Sequence, residues 1–275
     1  MKKFISLFFI FILFAFFIYA SSIFLWGTFA PTSLKPNLNY RIGSKGHLFS
    51  RIQEIKKINS VDILFLGSSH AYRGFDPRIF TSHKLKTFNL GSSSQTPVQT
   101  LLLLKRYLDH IKPKSIVYEV YPETFMIDGI ESSLDIIAND KNDALSFKMA
   151  YQLNHIKTYN TLIYGLIKNL LSANDSFNEP VQKKGDTYVK GGFVEAEMKY
   201  YTPTSFPPKK IVIDKKHLPF FKEIIHEIKK RNITLTLVFA PVSASFYTSY
   251  TNTNDFDHTM SSYAPMLLII TLTKP

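Results

Sequence analysis

Val61-Asp62-Ile63-Leu64-Phe65-Leu66-Gly67-Ser68-Ser69-His70-Ala71-Tyr72-Arg73-Gly74-Phe75 is the stretch that decides the fold. Apart from Asp62 its first six residues are apolar, and they end at Gly67 and open into two serines and a histidine. A short run of bulky apolar residues closed by glycine reads as a buried, parallel strand. In an open α/β sheet, ligands bind where the carboxyl ends of the strands meet the following loops. Ser68, Ser69 and His70 are therefore the first candidates for chemistry. The plainer reading is that Ser68 or Ser69 caps the next helix, as serine commonly does after a strand.

Working downstream, Asp76-Pro77 fits a helix N-cap with proline at the first helical position, and Thr96-Pro97 repeats the device. Between them Thr87-Phe88-Asn89-Leu90 reads as a second strand ending in Gly91-Ser92-Ser93-Ser94. Val98, Leu101, Leu104, Leu108 and Ile111 follow at helical spacing. Ser115 to Tyr121 is a third strand, closed by Pro122. Asp214 caps a helix with the stripe Leu218, Phe221, Ile225 and Ile228, which ends in Lys229-Lys230-Arg231 as the macrodipole favours. Thr234 to Ala240 is a fourth strand, ended by Pro241. Strand, helix, strand in succession predicts right-handed βαβ units on a parallel sheet.

Working upstream, Phe49 to Ile58 is a short helix leading into the key strand, and residues 29–48, with Pro31, Pro36 and Gly43, read as a linker. Phe4 to Trp26 contains no charged residue, and at about 1.5 Å per residue it reaches roughly 35 Å, enough for a hydrocarbon core of about 30 Å. Lys2 and Lys3 ahead of it place the N-terminus in the cytoplasm and the rest of the chain outside. The rival is a cleaved signal peptide with Ala20-Ser21-Ser22 as the cut site. Ile18 fits position −3 poorly and the apolar run resumes at Ile23, which favours an uncleaved anchor over residues 1–28. The lipid bilayer is then a partner through Phe4 to Trp26.

Residues 49–275 make one α/β domain, interrupted at about 127–210 by an insertion. Asp143 to Leu171 reads as helical, with Met149, Leu153, Ile156, Tyr159, Leu162 and Ile163 near one face, and Ala173 to Lys210 is polar. The insertion is either a lid over the sheet edge or a surface excursion.

The chain carries a formal charge of +12 over 275 residues. That excess suits anionic lipid, acidic glycans or nucleic acid without choosing among them, and no nucleic-acid module is present. With no cysteine, disulfides, thiolate metal sites, a cysteine nucleophile and a lipoprotein anchor are excluded. No phosphate-binding glycine loop, no dinucleotide fingerprint and no metal-ligand spacing among the eight histidines occurs. No cofactor is expected.

Two strand ends thus carry the same kind of loop, Gly67-Ser68-Ser69-His70 and Asn89-Leu90-Gly91-Ser92-Ser93-Ser94. An ester-cleaving site needs a hydroxyl nucleophile and backbone N–H donors aimed at the developing oxyanion. Ser69 supplies a hydroxyl and an N–H, and Gly91 lets a backbone approach closely. Asn89, Ser68, His70 and Arg73 stand beside them as binding candidates. These blocks resemble the SGNH (GDSL-like) hydrolase superfamily, most of all its membrane-anchored branch with the alginate acetylation and teichoic-acid D-alanyl transfer proteins. The resemblance covers roughly Val61 to Pro122, more weakly to Val242. It implies a three-layer α/β/α sandwich on a parallel sheet, flavodoxin-like, that cleaves or transfers acyl esters. It also implies Ser69 as nucleophile and Gly91 as oxyanion donor.

The chain departs from that pattern at two blocks. The family's third block carries an Asn donor where this chain has Tyr121-Pro122-Glu123. Its fourth block, Asp-x-x-His, supplies the base and the group that orients it. Asp255-Phe256-Asp257-His258 is the match here, in a polar stretch soon after the fourth strand, so Asp255 and His258 are the implied dyad, with an ordinary solvated loop as the alternative. Met266 to Leu272 reads either as the further strand or as foreign sequence in place of a lost end, which would leave the site incomplete. Two functions stay open. One is a membrane-anchored serine esterase or O-acyltransferase on cell-envelope carbohydrate, with an acylated glycan or other small ester as substrate. The other is a catalytically incomplete protein with a glycan-binding or assembly role. A weaker third reading makes the serine-rich loops an anion nest for phosphate.

Overall fold

The computed structural model describes residues 1–197, 205–264 and 267–272. In chain order the helices and strands are α1 (Lys2–Phe29), α2 (Leu48–Ile55), β1 (Ile63–Leu66), α3 (Ser69–Gly74), α4 (Pro77–Ser82), β2 (Thr87–Asn89), α5 (Pro97–Ile111), β3 (Ser115–Glu119), α6 (Pro122–Met126), α7 (Ile130–Asn139), α8 (Ala144–Leu153), α9 (Ile156–Leu170), β4 (Gln182–Lys183), β5 (Asp186–Val189), β6 (Phe193–Ala196), α10 (His217–Lys230), β7 (Thr234–Ser243), α11 (Ala244–Tyr247), α12 (Thr253–Ser261) and β8 (Leu267–Leu272).

Leu64, Phe65 and Leu66 are buried in β1, the second strand of a parallel sheet of order β2-β1-β3-β7-β8. The register pairs Phe65 with Asn89 on one side and Leu66 with Tyr118 on the other. From β1 the chain steps outward to β2, then crosses back past β1 to β3, so the strand order reverses between β1 and β3. The right-handed rule for parallel crossovers assigns α5 and α10 to one face and the β1–β2 connection to the other. Helix α5 packs against α10, and its buried stripe of Val98, Leu101, Leu104, Leu108 and Ile111 joins Phe221, Ile225 and Ile228 of α10 in the main core. The Asp76 carboxylate caps α4, and Thr96 with Gln99 forms a full capping box on α5.

Several boundaries differ from expectation. Helix α10 begins at His217, because Asp214 closes a turn ahead of it instead, accepting from Lys216 N–H on its carboxylate and from His217 N–H on its carbonyl. Strand β7 runs on through Pro241 to Ser243, where its pairing with β8 shifts between Phe239 and Val242. Such an irregularity is where a sheet tolerates a residue without an N–H. The helical stretch after Asp143 breaks into α8 and α9, since Asn154 adopts a left-handed conformation (φ 46°) and His155 caps α9. Residues 253–261, expected in a polar loop, form α12, whose Phe256 and Met260 are buried one turn apart. Strand β8 extends the sheet over most of the expected terminal strand, and Met266 lies outside the described residues.

The segment after α1 reads as a linker but is docked. Asn39 N–H donates to Thr161 Oγ1 at 3.1 Å, and Asn160 Nδ2 donates to Asn37 O at 3.1 Å. The second half of the insertion, of which residues 198–204 lie outside the described residues, holds a three-stranded antiparallel sheet β4-β5-β6. It closes the lateral edge of the main sheet, since Asn89 N–H, on edge strand β2, donates to Gly191 O at 2.8 Å. This contact blunts an edge that would otherwise pair with another chain.

Candidate active site

Gly67 turns the chain out of β1 with φ 137°, a conformation L residues rarely adopt. A Cβ there would sit 2.5 Å from Glu119 Oε2, so the glycine also makes room for the buried carboxylate that ends β3. Glu119 Oε2 accepts from Ser68 N–H at 2.7 Å. Ser68 is the N-cap of α3, its hydroxyl accepting from His70 N–H at 3.3 Å. The plainer reading of the serine pair therefore holds for Ser68, which is buried. Ser69 is different. It occupies the first position of α3, is half-buried, and its hydroxyl makes no hydrogen bond among the described residues.

The second serine loop lies against the first. A Cβ on Gly91 would fall 2.8 Å from Gly67 O and 2.9 Å from Ser68 O, a contact only glycine permits. Ser92 N–H donates to Gly67 O at 3.2 Å and ties the loops together. Neither Ser69 N–H nor Gly91 N–H has a hydrogen-bond partner among the described residues. The carbonyl of Gly91 is held by Arg51 Nη1 at 2.9 Å. Arg51 is wholly buried and also donates to Gly192 O and Gly46 O, both at 2.9 Å. The arrangement offers an unpaired hydroxyl beside two unpaired amides.

His70 is the imidazole at this edge. Its Nδ1 stands 3.2 Å from Ser68 Oγ and 3.6 Å from Glu119 Oε1, a buried oxygen with no hydrogen-bond partner of its own. A carboxylate facing Nδ1 favours the tautomer with the proton on that nitrogen, which leaves Nε2 as the basic lone pair. The edge of Tyr121 packs on the His70 ring with centroids 4.4 Å apart. Tyr121 stacks on Phe246, which in turn meets Phe206 and Tyr250 edge to face. A half-exposed aromatic wall thus runs away from His70.

The other expected residues sit elsewhere. Asn89 is buried, and its side-chain amide donates to Phe75 O at 2.8 Å, bracing the end of α3. Arg73, expected to face a ligand, forms a bidentate pair with Asp186 of β5 at 2.9 and 2.8 Å. Asp255 and His258 lie exposed on α12, and no hydrogen bond or ion pair joins their side chains to each other or to Ser69 among the described residues. Ser92 and Ser93 are engaged by Gln95 and Tyr72, at 2.8 and 3.0 Å. No group of three or more His, Asp or Glu side chains suited to a metal ion occurs among the described residues.

No family model matches the chain, and neither does a curated protein or a solved structure.

Two residues at the site were missed in the sequence. Glu119 had a visible signal, being a charged residue at the carboxyl end of the otherwise apolar Ser115-Ile116-Val117-Tyr118. Arg51 had a fainter one: it falls on the same face of α2 as Leu48, Ile52 and Ile55, where a cation needs a buried partner.

Proposed function

We propose that this chain is a membrane-anchored serine esterase or O-acyltransferase with an SGNH-like three-layer sandwich, acting on acylated carbohydrate of the cell envelope. The observation that supports it most is the Ser69 hydroxyl on a loop packed against the Gly91 loop, with neither that hydroxyl nor the N–H groups of Ser69 and Gly91 paired among the described residues. The proposed place of the domain outside the cytoplasm rests on Lys2 and Lys3 ahead of one apolar helix.

In this reading Ser69 Oγ attacks the ester carbonyl carbon while its proton passes to His70 Nε2. The oxyanion is held by the Ser69 and Gly91 amides, and Glu119 favours the imidazolium that forms. The C–O bond then breaks, the leaving alcohol takes the proton from His70, and an acyl-serine remains. Water or a sugar hydroxyl, deprotonated by the same Nε2, attacks the acyl carbon and frees Ser69. Preorganised donors of this kind each contribute about 10²–10³ in rate, and the base about 10²–10⁴. The wall of Tyr121, Phe246 and Phe206 suits the apolar face of a sugar ring.

A second reading is favoured by the exposure of Asp255 and His258: a fold that binds acylated glycan without turning it over. Release of acetate from an acetylated polysaccharide by the full chain separates the two. The first reading expects turnover that Ser69→Ala abolishes and His70→Gln slows by about 10²–10⁴, with His258→Ala near wild type. Binding without acetate release at any pH favours the second.

A further inference from the structure

Helix α1 has two unlike halves. Every residue from Met1 to Tyr19 is exposed, whereas Gly27 is buried and Ile23 and Phe24 are half-buried. The covering element is α9, which docks on the second half. Tyr19 OH donates to Asn160 Oδ1 at 2.6 Å, Phe24 stacks on Tyr164 with centroids 5.9 Å apart, and Gly27 lies directly under the Tyr164 ring. The two helices run in the same sense, since Tyr19 meets Asn160 and Gly27 meets Tyr164.

The bare apolar stretch is too short to be the whole span. Phe4 to Ile18 extends roughly 22 Å at about 1.5 Å per residue, against a hydrocarbon core of about 30 Å. A bilayer that covers α1 fully must therefore reach past Tyr19, up to the level at which α9 already touches it. Ile156 lies one turn before Asn160, on the bilayer side of that contact. On either side of the turn joining α8 to α9 are two large side chains turned to solvent, Tyr151 in the last turn of α8 at 72% and Ile156 at the start of α9 at 47% exposure. Tyrosine is a side chain that settles at the headgroup level of a membrane.

We propose that the α8–α9 turn is a second membrane contact, with Tyr151 and Ile156 seated at the headgroup–acyl boundary of the bilayer that α1 crosses. This rests on α1 being a membrane span. The domain is then held at two points and lies on the surface in one orientation, which a single helix alone would not impose.

The chain has no cysteine, so single-cysteine variants carry one environment-sensitive fluorophore each. The full chain in phosphatidylcholine nanodiscs is compared at Ile156→Cys and Tyr151→Cys, at Phe11→Cys inside the span, and at Val212→Cys, an exposed position in the segment ahead of α10. Lipid bearing a nitroxide near the headgroup is expected to quench the labels at 151 and 156 and to spare the label at 212. Lipid with a deep nitroxide is expected to quench the label at 11. Labels at 151 and 156 no more quenched than that at 212, with position 11 quenched, would overturn the second contact and leave the span standing. No quenching at position 11 would remove the span and the contact with it.

Discussion

Glu119 shows how one carboxylate fixes the chemistry of its neighbours. One oxygen holds the Ser68 N–H, and the other faces His70 Nδ1 at 3.6 Å. Glu119→Gln keeps the size and the Ser68 contact but turns an N–H toward Nδ1, which then becomes the acceptor. The proton moves to Nε2 and the base is lost. The variant is expected to lose about 10²–10⁴ in ester turnover with little change in melting temperature, which steady-state rates and a thermal melt will read together. A second acid reports on stability. Burial pushes the Asp135 carboxyl up from 3.8 to about 6, so the folded chain keeps a proton that the unfolded chain releases. That stabilisation is complete below about pH 4 and is lost as the pH rises through 6. Asp135→Asn should flatten the decline in unfolding free energy between about pH 4 and pH 6, measured by denaturant titration.

Among the elements, the β4-β5-β6 sheet is joined to the site helix α3 by the pair Arg73–Asp186. The Arg73 hydrogen bond holds the Asp186 carboxyl below its usual range, so the link is full above about pH 4 and fades as the pH falls through the lowered value. Protection of the β5 and β6 amides against hydrogen exchange, taken relative to the intrinsic rate at each pH, should therefore fall on acidification, and Asp186→Asn should show that lower protection already at neutral pH. Unchanged exchange in the variant would show the sheet held by other contacts. The element ties more deeply through Arg51, which joins α2, the Gly91 loop and Gly192. Arg51→Leu leaves three buried carbonyls unpaired, at about 1–3 kcal/mol each, and is expected to lower the melting temperature more than any surface arginine does. What was legible in the sequence follows the same line. Strands β1 to β3 and helices α4 and α5 announce themselves through apolar runs and Asp-Pro or Thr-Pro starts. The sheet β4-β5-β6 does not, because strands of two to four residues carry no pattern long enough to show a period. Helix α12 was hidden by a polar Thr/Asn/Asp run in which Phe256 and Met260 alone mark the buried face.

At the scale of the whole molecule, the strand order places the Ser69 loop, after β1, beside the end of β3 where the order reverses, the position at which such sheets bind ligands, and the Gly91 loop, after β2, packs against its other side. That juxtaposition was foreseeable from two similar loops a strand and a helix apart. The pairing from which a base is proposed was not, because Asp255 and His258 match by spacing alone, while Glu119 and His70 meet only once β1 and β3 pair. The central claim is that Ser69 is an activated nucleophile, and a fluorophosphonate reads it most directly. The full chain in detergent is treated with the reagent across a pH series, and the adduct is located by peptide mass spectrometry. The account predicts one adduct, on Ser69, forming more slowly in His70→Gln and lost in Ser69→Ala. An adduct that persists in Ser69→Ala, or none on the wild-type chain at any pH, would contradict it.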